Sequence, residues 1–474
     1  MRKTKIVATI GPASHEPEQI QALIQAGTNV FRLNLSHLKE SLSEIVERIH
    51  DASRKLNQPV AIIADLQGPK IRIGTFENEF VHLKPGQNFK LKCDKLKQMP
   101  GNEHSVYVDY ETLCADLSAG DHVLLDDGLI ELKVDETSDS EVSCTVIEGG
   151  VLQNHKGINR RGGGLNARAI TTKDETDLKR SVQAGVDYIA LSFVKNKNDI
   201  FKARQLLKEL DACHIQIIAK IERTEALVNL SEIIEASDAI MVARGDLAVE
   251  VGPAEVPGIQ KEIIYQTQQL NKTVITATQM MESMITNPTP TRAEVSDVAN
   301  AILDGTDAVM LSAETASGKY PIKVIEMVHK VCISAEKHAH THPKTMDMHQ
   351  CLKRKDLAIA KACQLIASSH PIDAIVTLTE SGSTAIWISR QENTKPIFAV
   401  SDKLETTRLL CLVKNVYPIY FDYSNIDDNE INQHVLECLT QLKLIKPKAV
   451  ILLARGQKIG QEGLTNRLEL IDAL

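Results

Sequence analysis

The sequence predicts an α/β protein: a (β/α)₈ barrel that carries an inserted small β-barrel lid domain and is followed by a C-terminal open α/β domain. Three observations predict it. Eight short apolar runs succeed one another, most of them from the second onward ending in a residue type suited to chemistry. A strand-rich insertion of about a hundred residues separates the third run from the fourth, and a fresh αβ alternation begins beyond residue 340. The expected divisions are residues 1–69 and 168–340 for the barrel, 70–167 for the lid and 341–474 for the last domain.

The eight runs are Lys5 to Gly11, Val30 to Ser36, Val60 to Leu66, Tyr188 to Phe193, Gln216 to Glu222, Ala239 to Leu247, Thr273 to Gln279 and Ala308 to Thr315. Parallel strands buried on both faces read as near-continuous Val, Ile, Leu and Ala, which is the texture of all eight. Strand geometry puts residues i and i+2 on one face. Arg32, Asn34 and Ser36 are therefore expected to project together, as are Lys220 with Glu222 and Ser312 with Glu314. With Asp65, Ser192, Asp246 and Thr278 they make a charged, oxygen-rich mouth at the C-terminal strand ends, the end at which such barrels carry function.

Strand text in the insertion runs Phe80 to Leu83, Phe89 to Cys93, His122 to Leu125, Leu129 to Val134 and Val142 to Val146. Pro85-Gly86, Ala119-Gly120-Asp121, Asp126-Asp127-Gly128 and Gly149-Gly150 punctuate it as turns. Inserted at a functional loop, this domain is expected to cover the mouth. Its return strand passes through Gly162-Gly163-Gly164, which reads as a flexible hinge. After the eighth run a helix is expected around Ile322 to Ala339, then a polar segment from His338 to Gln350. Ala374 to Leu378, Ile397 to Val400, Val416 to Phe421 and Ala449 to Leu453 are the expected strands of the last domain.

The 474 residues exceed one ordinary core, and 43% hydrophobic with 24% charged content is that of a soluble globular protein. A net charge of −8 without a basic stripe argues against a nucleic-acid partner. The first apolar run is broken by Gly11-Pro12, so neither a signal segment nor a membrane partner is expected. Nine scattered cysteines without a Cys-x-x-Cys pair fit reduced thiols in a cytoplasmic enzyme.

Phosphoryl transfer asks a protein for positioning and for positive charge around the moving group. Mg²⁺ prefers one or two carboxylates plus water and substrate oxygens, and Glu222 with Asp246 could supply that pair beside Arg32 and Lys220. Backbone N–H groups at Gly245-Asp246 could accept a carboxylate.

These residues carry a resemblance. Thr4 to Val7, Thr9 to Ser14, Phe31 to His37, Ala64 to Arg72, Ile218 to Glu222, Met241 to Leu247, Ala277 to Met284, Pro290 to Glu294 and Leu311 to Thr315 resemble, in order, stretches of the pyruvate kinase family. The resemblance implies transfer of the phosphoryl group of phosphoenolpyruvate to ADP, giving pyruvate and ATP. It implies Mg²⁺ or Mn²⁺ on Glu222 and Asp246, and Arg32 and Lys220 as the neutralising cations. The same resemblance implies that Thr278, with the backbone at Gly245 and Asp246, takes the substrate carboxylate, and that water and hydroxyls near Thr278 and Ser312 protonate the enolate. Asn34, Arg72 and Lys156 match nucleotide contacts. A cytoplasmic homotetramer is the family's usual state.

Two departures refine this picture. Many members hold K⁺ at positions matching Asn34, Ser36, Asp65 and Leu66, and carry an acidic residue where this chain has Lys70. Lys70 together with Leu66, Gln67 and Ile73 resembles the K⁺-independent branch, an ammonium standing in for the ion. Thr379, Ser381, Gly382, Ser383 and Thr384 follow a strand and open a helix, and resemble the effector-phosphate loop. With Glu380 where bisphosphate-responsive members commonly carry Lys, the expected effector is AMP or a sugar monophosphate. The competing functions are a Mg²⁺-dependent barrel lyase or aldolase of pyruvate chemistry, and a non-catalytic metabolite sensor.

Overall fold

The computed structural model describes residues 1–338 except 39, 95–98 and 167, and residues 355–473 except 392–394, 425, 429 and 457–464. Eight parallel strands close a barrel: β1 (Lys5–Thr9), β2 (Val30–Asn34), β3 (Ala61–Asp65), β12 (Tyr188–Leu191), β13 (Gln216–Ile221), β14 (Ala239–Ala243), β15 (Thr273–Ala277) and β16 (Ala308–Leu311), with β16 pairing back to β1. Each lies inside one of the eight apolar runs. Val7, Val30, Ile63, Ile218, Met241 and Met310 fill the barrel, while alternate residues such as Ile6, Phe31, Ile62 and Ile240 face the surrounding helices. Thr171 with Asp174, Asn196 with Asp199 and Thr291 with Glu294 form capping boxes that start three of those helices.

All eight strands end sooner than their runs, and four of the early ends change the expected site: β2 stops at Asn34 and residues 35–37 form a turn, so Ser36 does not share a strand face with Arg32 and Asn34. Helix Arg244–Val251 takes over at Arg244, Thr278 and Gln279 turn left-handed, and a short helix Ala313–Ala316 follows Ser312. Asp246 thus projects from a helix, and Ser312 and Glu314 do not share a strand face. A buried helical turn and a buried strand carry the same apolar texture, so periodicity could not separate them.

Between β3 and β12 stand β4 (Phe80–Leu83), β5 (Asn88–Lys92), β6 (Ser105–Tyr107), β7 (His122–Leu125), β8 (Ile130–Thr137), β9 (Glu141–Glu148), β10 (Gly150–Gln153) and β11 (Ile158–Arg160). A six-stranded sheet, β11-β7-β8-β9-β5-β6, and the ribbon β10-β4 share one core that includes Phe89, Leu125, Leu132 and Leu152. Gly150, expected in a turn, opens β10. The chain leaves the barrel at Gly68, whose φ of +66° and approach to Ser192 leave no room for a Cβ.

Helix Pro321–His338 matches the stretch expected after the eighth run, and the polar segment beyond it, at 339–350, lies outside the described residues. The last domain is one sheet, ordered β19 (Val416–Tyr420), β18 (Ile397–Ser401), β17 (Ala374–Leu378), β20 (Val450–Gly456) and β21 (Thr465–Asp472), parallel except for β21. It docks under the barrel floor. Cys411 and Leu412 complete the barrel's interior cluster, and the Lys5 ammonium donates to the Val416 carbonyl. Asp187 pairs with Arg408 at 2.7 Å and Asp307 with Arg390 at 2.7 Å, while the Tyr188 hydroxyl donates to the Leu409 carbonyl. Among the described residues no helix is long and apolar enough to cross a membrane.

Candidate active site

Strands β2, β3 and β13 bring four charges together at the mouth. Arg32 Nε donates to Asp65 Oδ2 at 2.7 Å, and its Nη1 to Thr9 Oγ1. The Lys220 ammonium lies 3.3 Å from Asp65 Oδ1, 2.8 Å from Glu222 Oε1 and 2.8 Å from Ser192 Oγ, to which it donates. Lys220 is 9% exposed and Glu222 and Asp65 1%, so these charges interact through protein rather than water.

Burial alone would lower the Lys220 ammonium, but Asp65 and Glu222 raise it above the ordinary lysine range. It is a permanent cation. Burial also works against the Asp65 charge, yet Lys220 and Arg32 hold that carboxyl below its usual value. Glu222 goes the other way: burial pushes it up, Lys220 only partly opposes, and the nearby Asp246 carboxylate adds to the rise. Two carboxylates drawn together in this way suit a divalent cation, which would relieve their repulsion. Among the described residues no cluster of three or more His, Cys, Asp or Glu stands ready for a metal, but Mg²⁺ needs only such a pair when substrate and water complete its shell.

Beside them, Gly245 N donates to Thr278 Oγ1 at 3.0 Å, and Thr278 Oγ1 donates to the Ala277 carbonyl at 2.7 Å. Thr278 has φ +67° and Gln279 +52°, a conformation that a β-branched residue adopts at a cost of about 1–3 kcal/mol. Buried Arg244 holds it there, donating to the Ala277 and Thr278 carbonyls while two contacts of 2.8 Å tie it to Asp297. Glu314 ties the neighbouring loop, accepting from Ser312 N at 2.6 Å and Met281 N at 3.2 Å. Phe193, also left-handed, donates its N–H to Glu222 Oε2. Asp297 and Phe193 were not singled out in the sequence, and Ser192 and Arg244 were seen without their partners, since those partners lie far away along the chain.

Of the residues expected as a monovalent-cation site, Asn34 lies in register with Asp65 on the neighbouring strand, and Ser36 follows in the turn after β2. Asn34 Oδ1 accepts from Ser36 N, and Asp65 serves Arg32 and Lys220. Lys70, the first residue of the insertion, reaches Asp246 of the barrel at 3.2 Å and Asp127 of the insertion at 3.8 Å. Lys156 pairs with Asp126 at 2.8 Å, and Arg72 donates to the His155 carbonyl. Two cavities flank the charge cluster. One, of 630 Å³, lies between Lys70, Asp127, Arg161, Gly245 and Asp246; the other, of 530 Å³, lies between Gly11, Pro12, Arg32, Asn34, His37 and Ser312.

In the last domain, helix Ser383–Arg390 starts at Gly382, whose φ is +82°. The loop is closed by Gly382 N donating to Thr379 Oγ1 and by a 2.9 Å Ser381–Ser383 hydroxyl contact, while Thr384 meets Thr465. Strand β17 has β18 on one side and β20 on the other, so the loop stands where the strand order reverses, the usual ligand crevice of open sheets. Glu380, expected to face an incoming phosphate, is turned into the domain, 3.0 Å from the Lys403 ammonium and 3.3 Å from the Tyr423 hydroxyl.

The barrel-domain model of pyruvate kinase matches residues 1–325, and the pyruvate kinase alpha/beta-domain model matches residues 357–471. A pyruvate kinase of Buchnera aphidicola (subsp. Baizongia pistaciae) is 46% identical over 471 residues, 98% of each chain. Pyruvate kinase II of Salmonella typhimurium is 43% identical, over 99% of this chain and 98% of its own. The crystal structure of a pyruvate kinase from Cryptosporidium parvum superposes with a TM-score of 0.90 at 32% identity, covering 100% of this chain and 96% of that one.

Proposed function

The chain belongs to the pyruvate kinase family and transfers the phosphoryl group of phosphoenolpyruvate to ADP, giving pyruvate and ATP, and we propose that the residues at the barrel mouth divide that work as follows. The family needs Mg²⁺, which when bound withdraws charge from the phosphoryl oxygens; Glu222 and Asp246 are the residues to hold it. Arg32 and Lys220 stay cationic and fixed, so they stabilise charge on the phosphoryl group in transit without reorganising. The N–H groups of Gly245 and Asp246 at the start of helix Arg244–Val251, with Thr278 Oγ1, orient the substrate carboxylate. Water among the Thr278 and Ser312 hydroxyls delivers the proton to the enolate.

Asn34, Arg72 and Lys156 bind the nucleotide phosphates, with the base in the cavity beside Gly11, Pro12 and His37. The insertion, residues 70–167, acts as the lid over the barrel units 1–69 and 168–340. Its first residue, Lys70, joins the Asp127 turn to Asp246 of the barrel, and closure onto nucleotide transfers Lys156 from Asp126 to a phosphate. The single observation that carries the assignment is the buried Lys220 ammonium among Asp65, Glu222 and Ser192.

Lys70 makes activity independent of K⁺, because a fixed ammonium already stands beside Asp246. A monophosphate, AMP or a sugar monophosphate, binds the hydroxyl-rich loop Thr379 to Thr384 of the C-terminal domain (341–474) and activates. The enzyme works in the cytoplasm as a homotetramer, which mass photometry tests.

The deciding assay follows pyruvate through lactate dehydrogenase with phosphoenolpyruvate, ADP and Mg²⁺. Pyruvate forms only when ADP is present; a lyase releases it from its own substrate without ADP, and a sensor releases none. Titrating phosphoenolpyruvate with AMP, ribose 5-phosphate or fructose 1,6-bisphosphate tests the effector: selective response to the bisphosphate rejects the monophosphate reading.

A further inference from the structure

The tertiary fold brings together two thiols that the sequence keeps apart. Cys93, buried directly after β5, has its Sγ 3.2 Å from Sγ of Cys114, half-buried in the one-turn helix Leu113–Asp116. That turn is not an idle surface feature. Its last residue, Asp116, accepts from Asn166 N and Asn166 Nδ2, both at 2.9 Å, and from the Tyr110 hydroxyl. Asn166 belongs to the stretch that returns from the lid to the barrel just after Gly162, Gly163 and Gly164, all with positive φ. The turn carrying Cys114 is therefore the lid's anchor on its own hinge.

We propose that Cys93 and Cys114 are a reversible dithiol modification site, closed to a disulfide by a peroxide, and that closure stiffens the lid hinge through Asp116 and Asn166. Bridging needs the sulfurs to approach from 3.2 Å to about 2.05 Å. Cys114, the more accessible thiol, meets the oxidant first. Its sulfur attacks the peroxide, the O–O bond breaks, water leaves and a sulfenic acid forms. Cys93 sulfur then attacks Cys114, the S–O bond breaks and the departing hydroxide takes the Cys93 proton. The balance is two thiols and one peroxide to one disulfide and two waters. The effect on turnover rests on reading the insertion as a lid; the crosslink does not.

The full-length, Mg²⁺-loaded enzyme is treated with hydrogen peroxide, blocked with N-ethylmaleimide and digested for mass spectrometry. A peptide pair joined at Cys93 and Cys114 is expected, with kcat lowered about threefold or more and restored by dithiothreitol. Cys93→Ser and Cys114→Ser should each abolish both effects, whereas Cys213→Ser, which removes an exposed thiol elsewhere, should change neither. No joined peptide, or inactivation that persists in Cys114→Ser, overturns the proposal. Hydrogen exchange over residues 161–166 separates the two readings. A disulfide that leaves this exchange unslowed refutes the coupling through Asp116, while slowed exchange with unchanged kcat refutes the lid's part in turnover.

Discussion

Both ends of the barrel carry buried charge, and they use it differently. At the floor, Asp187, Asp307 and Lys5 are met by Arg408, Arg390 and the Val416 carbonyl of the C-terminal domain. Asp307 Oδ1 also accepts from Lys414 N at 3.0 Å, joining the two domains, while its Oδ2 accepts from Val274 N of the neighbouring barrel strand at 3.0 Å. At the mouth, Arg32, Lys220, Asp65 and Glu222 satisfy one another only in part, beside two open cavities and three left-handed residues, Phe193, Thr278 and Gln279. Charge at a strand end is thus no signal of function by itself. What separates the ends is whether another part of the chain completes the shell or leaves it open to a ligand.

The largest expected effect lies at the mouth. Lys220→Met should lower kcat by at least about 10²–10³, the scale of losing one preorganised charge-stabilising donor. Mn²⁺ binding, read by electron paramagnetic resonance, should largely persist because Glu222 and Asp246 remain. Turnover close to wild type in a stopped assay would take Lys220 out of the reaction.

The matching change at the floor should do the opposite. Asp307→Ala strands Arg390 and two backbone donors, at a cost of about 3–5 kcal/mol in the urea transition that undocks the C-terminal domain. kcat of the folded protein should hold. A variant as stable as wild type but slow would mean that the floor serves chemistry rather than docking.

Lys70 bridges mouth and lid, so it tests where the functional end stops. Wild-type activity should be equal in tetramethylammonium and K⁺ buffers of the same ionic strength. Lys70→Glu should lose activity several-fold and regain part of it with K⁺. A wild-type enzyme silent without K⁺ rules the stand-in out.

The last effect is a pH dependence at the floor. Burial pushes the Asp187 carboxyl from 3.8 up to about 6, with Arg408 pulling the other way. Between those values the folded chain holds the proton more tightly than the unfolded one, so this group's contribution to stability falls as pH rises from about 4 to about 6. Relative to Asp187→Asn, wild type should lose stability across that window in urea titrations. A difference that stays constant with pH would show that Arg408 outweighs burial.

How far the sequence could be read depended on how local each signal was. All eight barrel strands were visible because burial on both faces writes a continuous apolar run. In the lid, β6, of three residues, was too short to show alternation, β10 was hidden because its opening glycine read as a turn, and β21 went unread in the last domain. At the site, Arg32, Asp65, Lys220 and Glu222 stood out by type and position, whereas Arg244 with Asp297, Lys70 with Asp246 and Cys93 with Cys114 did not.

By itself, the sequence determined the barrel, its inserted and appended units, and which side chains crowd the strand ends, because apolar periodicity and strand-end chemistry are written within a few consecutive residues. Only the tertiary structure decided the partners. It ended β14 early so that Asp246 sits on a helix turn, sent Lys70 to Asp246, turned Glu380 inward to Lys403, and set Cys411 and Leu412 into the barrel floor. The reason is physical: a side chain's partner is fixed by packing among segments far apart in the chain, and that information is absent from any short window of residues.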